Sequence, residues 1–191
     1  NKIETSSAKW NMLGNSVMFS PMNLATLQQD DKTKPVSSSL SSNITGIPVN
    51  GDQWDGYSAE RRLLIDALSK HNSHTLFVTG DIHSEWAHNI SKDGRIFGAE
   101  MVCASVSAPN VNEQLKLPEG NELSKLAERY LMGANPHTRH VDLDHHGYSY
   151  VTVHPDSAEM HWLRVDNLLT AKSPVREAVT MTWRPGEGYS K

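Results

Sequence analysis

Leu76, Phe77 and Val78 form a short apolar run that stops at Gly80 and is followed directly by Asp81 and His83. This stretch, TLFVTGDIHSEWAH from Thr75 to His88, constrains the fold more than any other. The apolar run predicts a buried strand, and Gly80 permits a sharp turn at its end. On an extended backbone the side chains at i and i+2 share a side. Asp81 and His83 are therefore expected together, with Ile82 turned away into the core. A carboxylate and an imidazole so placed are suited to gripping a metal ion, although Asp-x-His also occurs in solvated loops.

With 191 residues the chain can bury one sizeable core, and a single domain is expected. The net charge of −4 argues against a nucleic-acid-binding patch, which needs clustered Lys and Arg. There is no apolar run of the roughly eighteen residues that a membrane-spanning helix requires. A lone cysteine, Cys103, excludes an internal disulfide and reads as a packed small residue. The chain opens on Asn1 without a signal peptide, and NKIETSSAKW runs straight into a strand. We therefore expect a carboxy-terminal portion of something longer, its first half absent.

Along the chain, Lys9–Pro21 predicts a strand that bends near Gly14 and Asn15, and Met22–Gln29 a short helix. Asp30–Gln53 is rich in Ser, Pro, Gly and Asn and is expected to be a long surface loop, either flexible or folded over the site. It holds the sequon Asn43-Ile44-Thr45, relevant only to a eukaryotic secretory route. Ser58–His71 predicts a helix with Ser58 at its N-cap and Leu63, Leu64, Ala67 and Leu68 on one apolar face. Arg95–Ser107 predicts a second buried strand. Asn121–Leu131 predicts a second amphipathic helix, with Leu123, Leu126, Ala127, Tyr130 and Leu131 inward, followed by the loop NPHTRHVDLDHHG. Tyr148–His154 and Glu159–Val165 form an expected hairpin, and Val175–Trp183 a final strand. Strands mixed with a few helices and ending in an antiparallel meander indicate an α/β layered fold with a mixed sheet.

Polar residues gather in two further places. In Asp52–Tyr57, Trp54 and Gly56 read as structural, one pinning the loop and the other supplying an unusual backbone angle. Asp55 and Tyr57 are compatible with either a structural or a functional part, and a carboxylate is comfortable just before a helix. Downstream, His137 follows Asn135-Pro136, and His140, Asp142 and Asp144 alternate along an extended segment ahead of His145 and His146. Such faces are usually solvated, and the spacing is a poor metal signature. Neither a G-x-S-x-G nucleophile motif nor a glycine-rich phosphate loop is present.

Taken in order, these segments have a familiar sequence. Lys9-Trp10, Leu13-Gly14-Asn15 and Val17-Met18-Phe19-Ser20-Pro21 come first, then Trp54-Asp55-Gly56-Tyr57 with Arg61 and Thr79-Gly80-Asp81-Ile82-His83-Ser84. Ala99-Glu100, Asn135-Pro136-His137 and His146-Gly147-Tyr148 follow. The series strongly resembles the PhoD-type alkaline phosphatases, phosphomonoesterases and phosphodiesterases of the metallophosphoesterase superfamily. It covers nearly the whole chain outside the Ser-rich loop, and corresponds to the carboxy-terminal part of the family's catalytic domain.

The resemblance implies part of a four-layer α-β-β-α sandwich with a metal centre at strand ends, typically iron with calcium, and a phosphate ester as substrate. Asp81 and His83 would be the last metal ligands. Asn15 and His137 would belong to the catalytic pocket, with Asp55, Tyr57 and Arg61 at the substrate. Carboxylate with imidazole suits iron or manganese, whereas calcium prefers oxygen alone. It also implies export: a secreted, periplasmic or cell-surface protein. The family's earlier metal-binding segments have no counterpart here, and a catalytic metal takes about three protein ligands. The chain is thus expected to be inactive alone, completed by the amino-terminal half of the domain or by self-association. The alternative is a non-catalytic fragment that oligomerises through an exposed sheet and holds no functional metal.

Overall fold

The computed structural model describes residues 5–23, 51–71 and 74–190. Of the short helix expected over Met22–Gln29 and the loop Asp30–Gln53, only Met22, Asn23 and residues 51–53 are described. The rest, with the Asn43 sequon, lies outside the described residues.

Two sheets stack face to face. The first runs in the order β1 (Trp10–Gly14), β2 (His74–Thr79), β4 (Arg95–Val102), β3 (Glu85–Lys92) and β5 (Thr138–Asp142). In it β1, β2 and β4 are parallel, while β3 and β5 join antiparallel. The second is an antiparallel meander of β6 (Gly147–Val153), β7 (Ala158–Val165), β8 (Val175–Arg184) and β9 (Gly188–Ser190). The meander is therefore a separate sheet and not the end of the mixed one, because its core-facing stripe packs across the first sheet and not beside it. Leu76, Ala87, Ala99 and Met101 meet Ala158, Met160, Trp162, Met181, Trp183 and Tyr189 between the sheets. Trp162 is fully buried there, and its indole N–H donates to the Val102 carbonyl at 3.0 Å.

The other face of the first sheet is also covered. Phe19, Phe77, Ile90 and Phe97 pack with Leu68 of α1 (Ser58–Ser69), and Met18, Trp86, Val102 and Val141 pack with Leu131 of α3 (Glu122–Ala134). A single turn, α2 (Val111–Gln114), lies on the connection between β4 and α3. Among the described residues the layering is helix, sheet, sheet.

Several local expectations are corrected. Trp54–Tyr57 forms a 3₁₀ turn that runs directly into α1, so Tyr57 and not Ser58 is the N-cap, and it makes no side-chain capping bond. The helix buries Leu68 and half-buries Leu64 and Ile65, while Leu63 faces solvent, as does Leu123 on α3. Gly56 serves close approach rather than an unusual angle, since a Cβ there would collide with the Gly51 carbonyl. Strand β3 was not expected, and β5 was expected only as loop. The strand expected over Lys9–Pro21 is regular only as far as Gly14.

Trp162 fills the middle of the inter-sheet core, so Trp162→Ala should destabilise the chain by about 3–5 kcal/mol. Trp162→Phe, which keeps part of the packing but loses the hydrogen bond and some buried volume, should cost less, about 1–3 kcal/mol. Urea unfolding followed by tryptophan fluorescence and circular dichroism checks both.

Candidate functional site

Because β1, β2 and β4 are parallel, their carboxyl ends lie at one edge of the first sheet, where layered α/β folds place their ligands. The three exits are tied together by backbone bonds beyond the strands: Asn15 N–H donates to Val78 O at 3.0 Å, and Cys103 N–H to Thr79 O at 2.9 Å. The antiparallel strands bring Glu85, at the start of β3, and Asp142, at the end of β5, to the same edge.

Asp81 and His83 sit on the turn that leaves β2, but not on the extended backbone the alternation implied. Both adopt left-handed conformations, with φ of 73° and 53°. Such backbone is uncommon for non-glycine residues, mildest for Asp, Asn and His, and clusters at functional sites. The turn is closed by Ile82 N–H to Gly80 O at 2.9 Å, and Ile82 packs toward Trp86 and Leu131 as expected. The Asp81 side chain is exposed. The Nδ1 of His83 lies 3.0 Å from Pro109 O. A carbonyl only accepts, so Nδ1 carries the proton, and in the neutral ring Nε2 presents its lone pair.

Asn15, at the exit of β1, has its amide held on both ends. Its Nδ2 donates to Val17 O, and its Oδ1 accepts from the Trp54 indole at 3.3 Å. With Ser16, Val17, Trp54, Tyr57 and Glu60 it lines an open cleft of about 330 Å³. Tyr57 stands more than half exposed on its rim.

Asp55, Arg61 and His137 converge elsewhere, on the backbone of the segment that follows Asn15. Buried Asp55 accepts from Met22 N–H at 2.9 Å and pairs with Arg61 at 2.6 Å. Arg61 reaches Phe19 O at 3.5 Å, and His137 Nε2–H donates to Pro21 O at 2.8 Å. Burial holds the His137 imidazole below its usual range, favouring the neutral ring that this single donation needs. Asn135 completes the clamp, accepting from Asn23 N–H at 2.8 Å and donating to Asn23 O at 3.0 Å. The expected site residues thus fall into three groups: the Asp81–His83 turn, the Asn15–Tyr57 cleft, and a clamp on Phe19–Asn23.

In a fourth group, His140, Asp142 and His145 were visible in the sequence as a face expected to be solvated, but the face is largely buried and its partners Glu85 and Arg164 were missed. Arg164, on the core-facing stripe of β7, crosses to the first sheet and makes bonds of 3.0 and 2.7 Å to both oxygens of Glu85, and one of 2.9 Å to Asp142. His140 adds a contact to Glu85 at 3.1 Å, and His145 bonds Asp142 at 2.8 Å and Glu119 at 3.1 Å. The signal was there: an arginine in the period-2 series Ala158, Met160, Trp162, Arg164 demands a buried carboxylate opposite. Likewise Asp93-Gly94, both at positive φ, marks the hairpin that would have revealed β3.

Among the described residues, no three His, Cys, Asp or Glu side chains come close enough to hold a metal ion. Asp81 and His83 offer two donors, and the iron and calcium implied by the resemblance do not fit the described residues as a complete centre.

Burial works against charge on His145, yet the hydrogen bond and charge of Asp142 outweigh it and raise the imidazole above its usual range. For Asp142, burial is likewise outweighed, by His145 and Arg164, and its carboxyl is held far below the usual range. A raised folded value makes the His145 contribution complete below the unfolded value near 6.5, and that contribution disappears as pH rises through the folded one. His145→Gln should therefore lose about 1 kcal/mol at pH 5.5 and distinctly less at pH 9, as thermal melts at the two pH values will show.

Residues 1–162 match the family described as PhoD-like phosphatase. Alkaline phosphatase D of Bacillus subtilis (strain 168) is 30% identical over 162 residues, an alignment covering 81% of this chain and 23% of that protein. A solved structure, "Structure of PhoD", superposes with a TM-score of 0.72 over 99% of this chain and 32% of its own, at 20% identity, which is a likeness of fold. The chain spans between about a quarter and a third of the length of these relatives.

Proposed function

The chain belongs to the PhoD-like phosphatase family, and we propose from that premise that it is part of a metal-dependent phosphate-ester hydrolase to which it contributes Asp81 and His83. The observation that carries this reading is the turn after β2. It holds a carboxylate and an imidazole in two left-handed conformations at the carboxyl edge of parallel strands, with the imidazole tautomer set by Pro109 O. Backbone held in such conformations is typical of sites where position matters more than stability. Metal-ligating histidines commonly donate their second ring N–H to a carbonyl in this way.

Two donors are fewer than the roughly three that a catalytic metal takes. The reading therefore includes ligands from outside the described residues, and little or no activity for the described residues alone. It places the chain in the carboxy-terminal part of a PhoD-like catalytic domain, as part of a four-layer sandwich whose last layer would cover the outer face of β6–β9. Beside the turn, the Asn15–Tyr57 cleft offers Trp54 and Val17 as apolar walls and the Tyr57 hydroxyl as a hydrogen-bonding group for an ester. Asn15 remains a residue of the pocket in this reading. His137, Asp55 and Arg61 act through the Phe19–Asn23 backbone, which they hold in place beside it. Export to the periplasm, cell surface or medium accompanies the reading on the family resemblance.

A second reading is favoured by one observation: Tyr148 and Tyr150 stand exposed on the outer face of β6. A non-catalytic chain that self-associates through this face, without a functional metal, would look the same there.

Hydrolysis of aryl phosphate mono- and diesters, with iron and calcium supplied, is the test, made on this chain and on the chain with the sequence encoded upstream. Asp81→Asn tolerates the left-handed backbone, and His83→Ala removes the imidazole. Each should lower kcat/KM of the active form on the order of 100-fold or more. Unchanged activity in either variant rejects the assignment. A metal-free, stable oligomer in solution, with no activity in the extended chain, supports the second reading instead.

A further inference from the structure

We infer that Glu100 is a positioning residue that holds the Asp81–His83 turn and the segment behind Asn15 in fixed register with each other. This rests on the reading of that turn given above. Glu100 lies on β4, on the face shared with Phe77 of β2 and His88 of β3, and its side chain is fully buried. Its Oε1 accepts from Phe19 N–H at 2.7 Å and from the Thr79 hydroxyl at 3.0 Å, and its Oε2 from Ser20 N–H at 2.8 Å. Thr79 is the last residue of β2, two before Asp81. Phe19 and Ser20 follow Asn15 by four and five residues. A single carboxylate thus joins the exits of the two strands that carry the candidate site.

The groups that meet Glu100 are the Phe19 and Ser20 backbone amides and the Ser20 and Thr79 hydroxyls, not a cation. Burial pushes its carboxyl up, against the opposing pull of these four donors. A carboxylate so placed on an apolar face between Phe77 and His88 is costly to bury. An apolar side chain of similar volume would fill the space but leave the Phe19 and Ser20 amides unpartnered. From the opposite side, the Tyr189 hydroxyl donates to the Glu100 carbonyl at 2.9 Å, so the backbone that carries the carboxylate is itself anchored to the second sheet. Glu100 has what a positioning residue needs: a rigid base, both oxygens engaged, and partners on two separate segments, the one after β1 and the end of β2.

Glu100→Gln keeps the shape but turns one oxygen into an amide group that cannot accept an N–H. In NMR spectra of the chain, the Phe19 and Ser20 amides should exchange about tenfold faster. The shifts of Gly80–His83 should move, while the β6–β9 amides stay unchanged. In the active, upstream-extended protein, kcat should fall about tenfold or more with KM within a factor of about two. Thr79→Val is the milder companion: it cuts only the link to β2 and should move the Asp81 and His83 signals while leaving the Phe19 and Ser20 amides protected. The inference is overturned if either variant leaves Gly80–His83 unperturbed, or if the β6–β9 amides of Glu100→Gln exchange as fast as those of Phe19. The failure of the hydrolase reading looks different. Asp81→Asn and His83→Ala would then be without effect on activity, and the coupling seen by NMR would persist.

Discussion

The structure depends on the double burial of the first sheet. Leu76, Ala87, Ala99 and Met101 face the second sheet, while Phe77, Ile90, Phe97 and Val102 face the helices, so the middles of β2, β3 and β4 reach water on neither side. Most polar side chains buried on those strands then take a partner from another element, although the buried Thr75 hydroxyl has none among the described residues. Glu100 finds the amides behind β1, Glu85 finds Arg164, and His88 meets Thr138 and Met18. Each such bond pins a loop or joins a layer, and the loops pinned this way are those at the carboxyl edge.

This explains why the residues of the family's motifs divide as they do. Asp55, Arg61, Asn135 and His137 hold the backbone of Phe19–Asn23, a segment with no strand partner of its own. The turn bearing Asp81 and His83 is held more sparsely, by the Ile82 N–H to Gly80 O and Ser84 hydroxyl to Ile82 O bonds, Ile82 packed inward and Pro109 O. In the proposed reading, chemistry falls to side chains that the packing does not use. At the same edge the Arg164 network joins the two sheets through buried charges. Such a network contributes less to stability than its bonds suggest and more to fixing how the sheets meet.

Much of this was legible residue by residue. The apolar run at Leu76–Val78, the α1 and α3 helices, and the β6–β7 hairpin follow from periodicity and are found within one to three residues of where periodicity puts them. Strand β3 was obscured because its buried face carries His88 and its first residue is Glu85, polar groups whose partners lie far along the chain. The conformation at Asp81 and His83 was misread for a related reason. Alternation assumes an extended backbone, and nothing local to Gly80–Ser84 declares that the chain coils left-handed there. The outward faces of Leu63 and Leu123 show the same limit: helical spacing defines a stripe, but which edge of the stripe meets a neighbour depends on where that neighbour sits.

The sequence alone determined which segments are strands or helices where one period dominates, and the order of motifs that identifies the family, since both are properties of neighbouring residues. Only the tertiary structure decided which polar residues meet. Glu100 with Phe19, Arg164 with Glu85 and His137 with Pro21 are separated by 81, 79 and 116 positions along the chain. No local spacing encodes such pairs. They exist because two buried faces leave a charge or an amide no water to turn to, and the fold brings the partner.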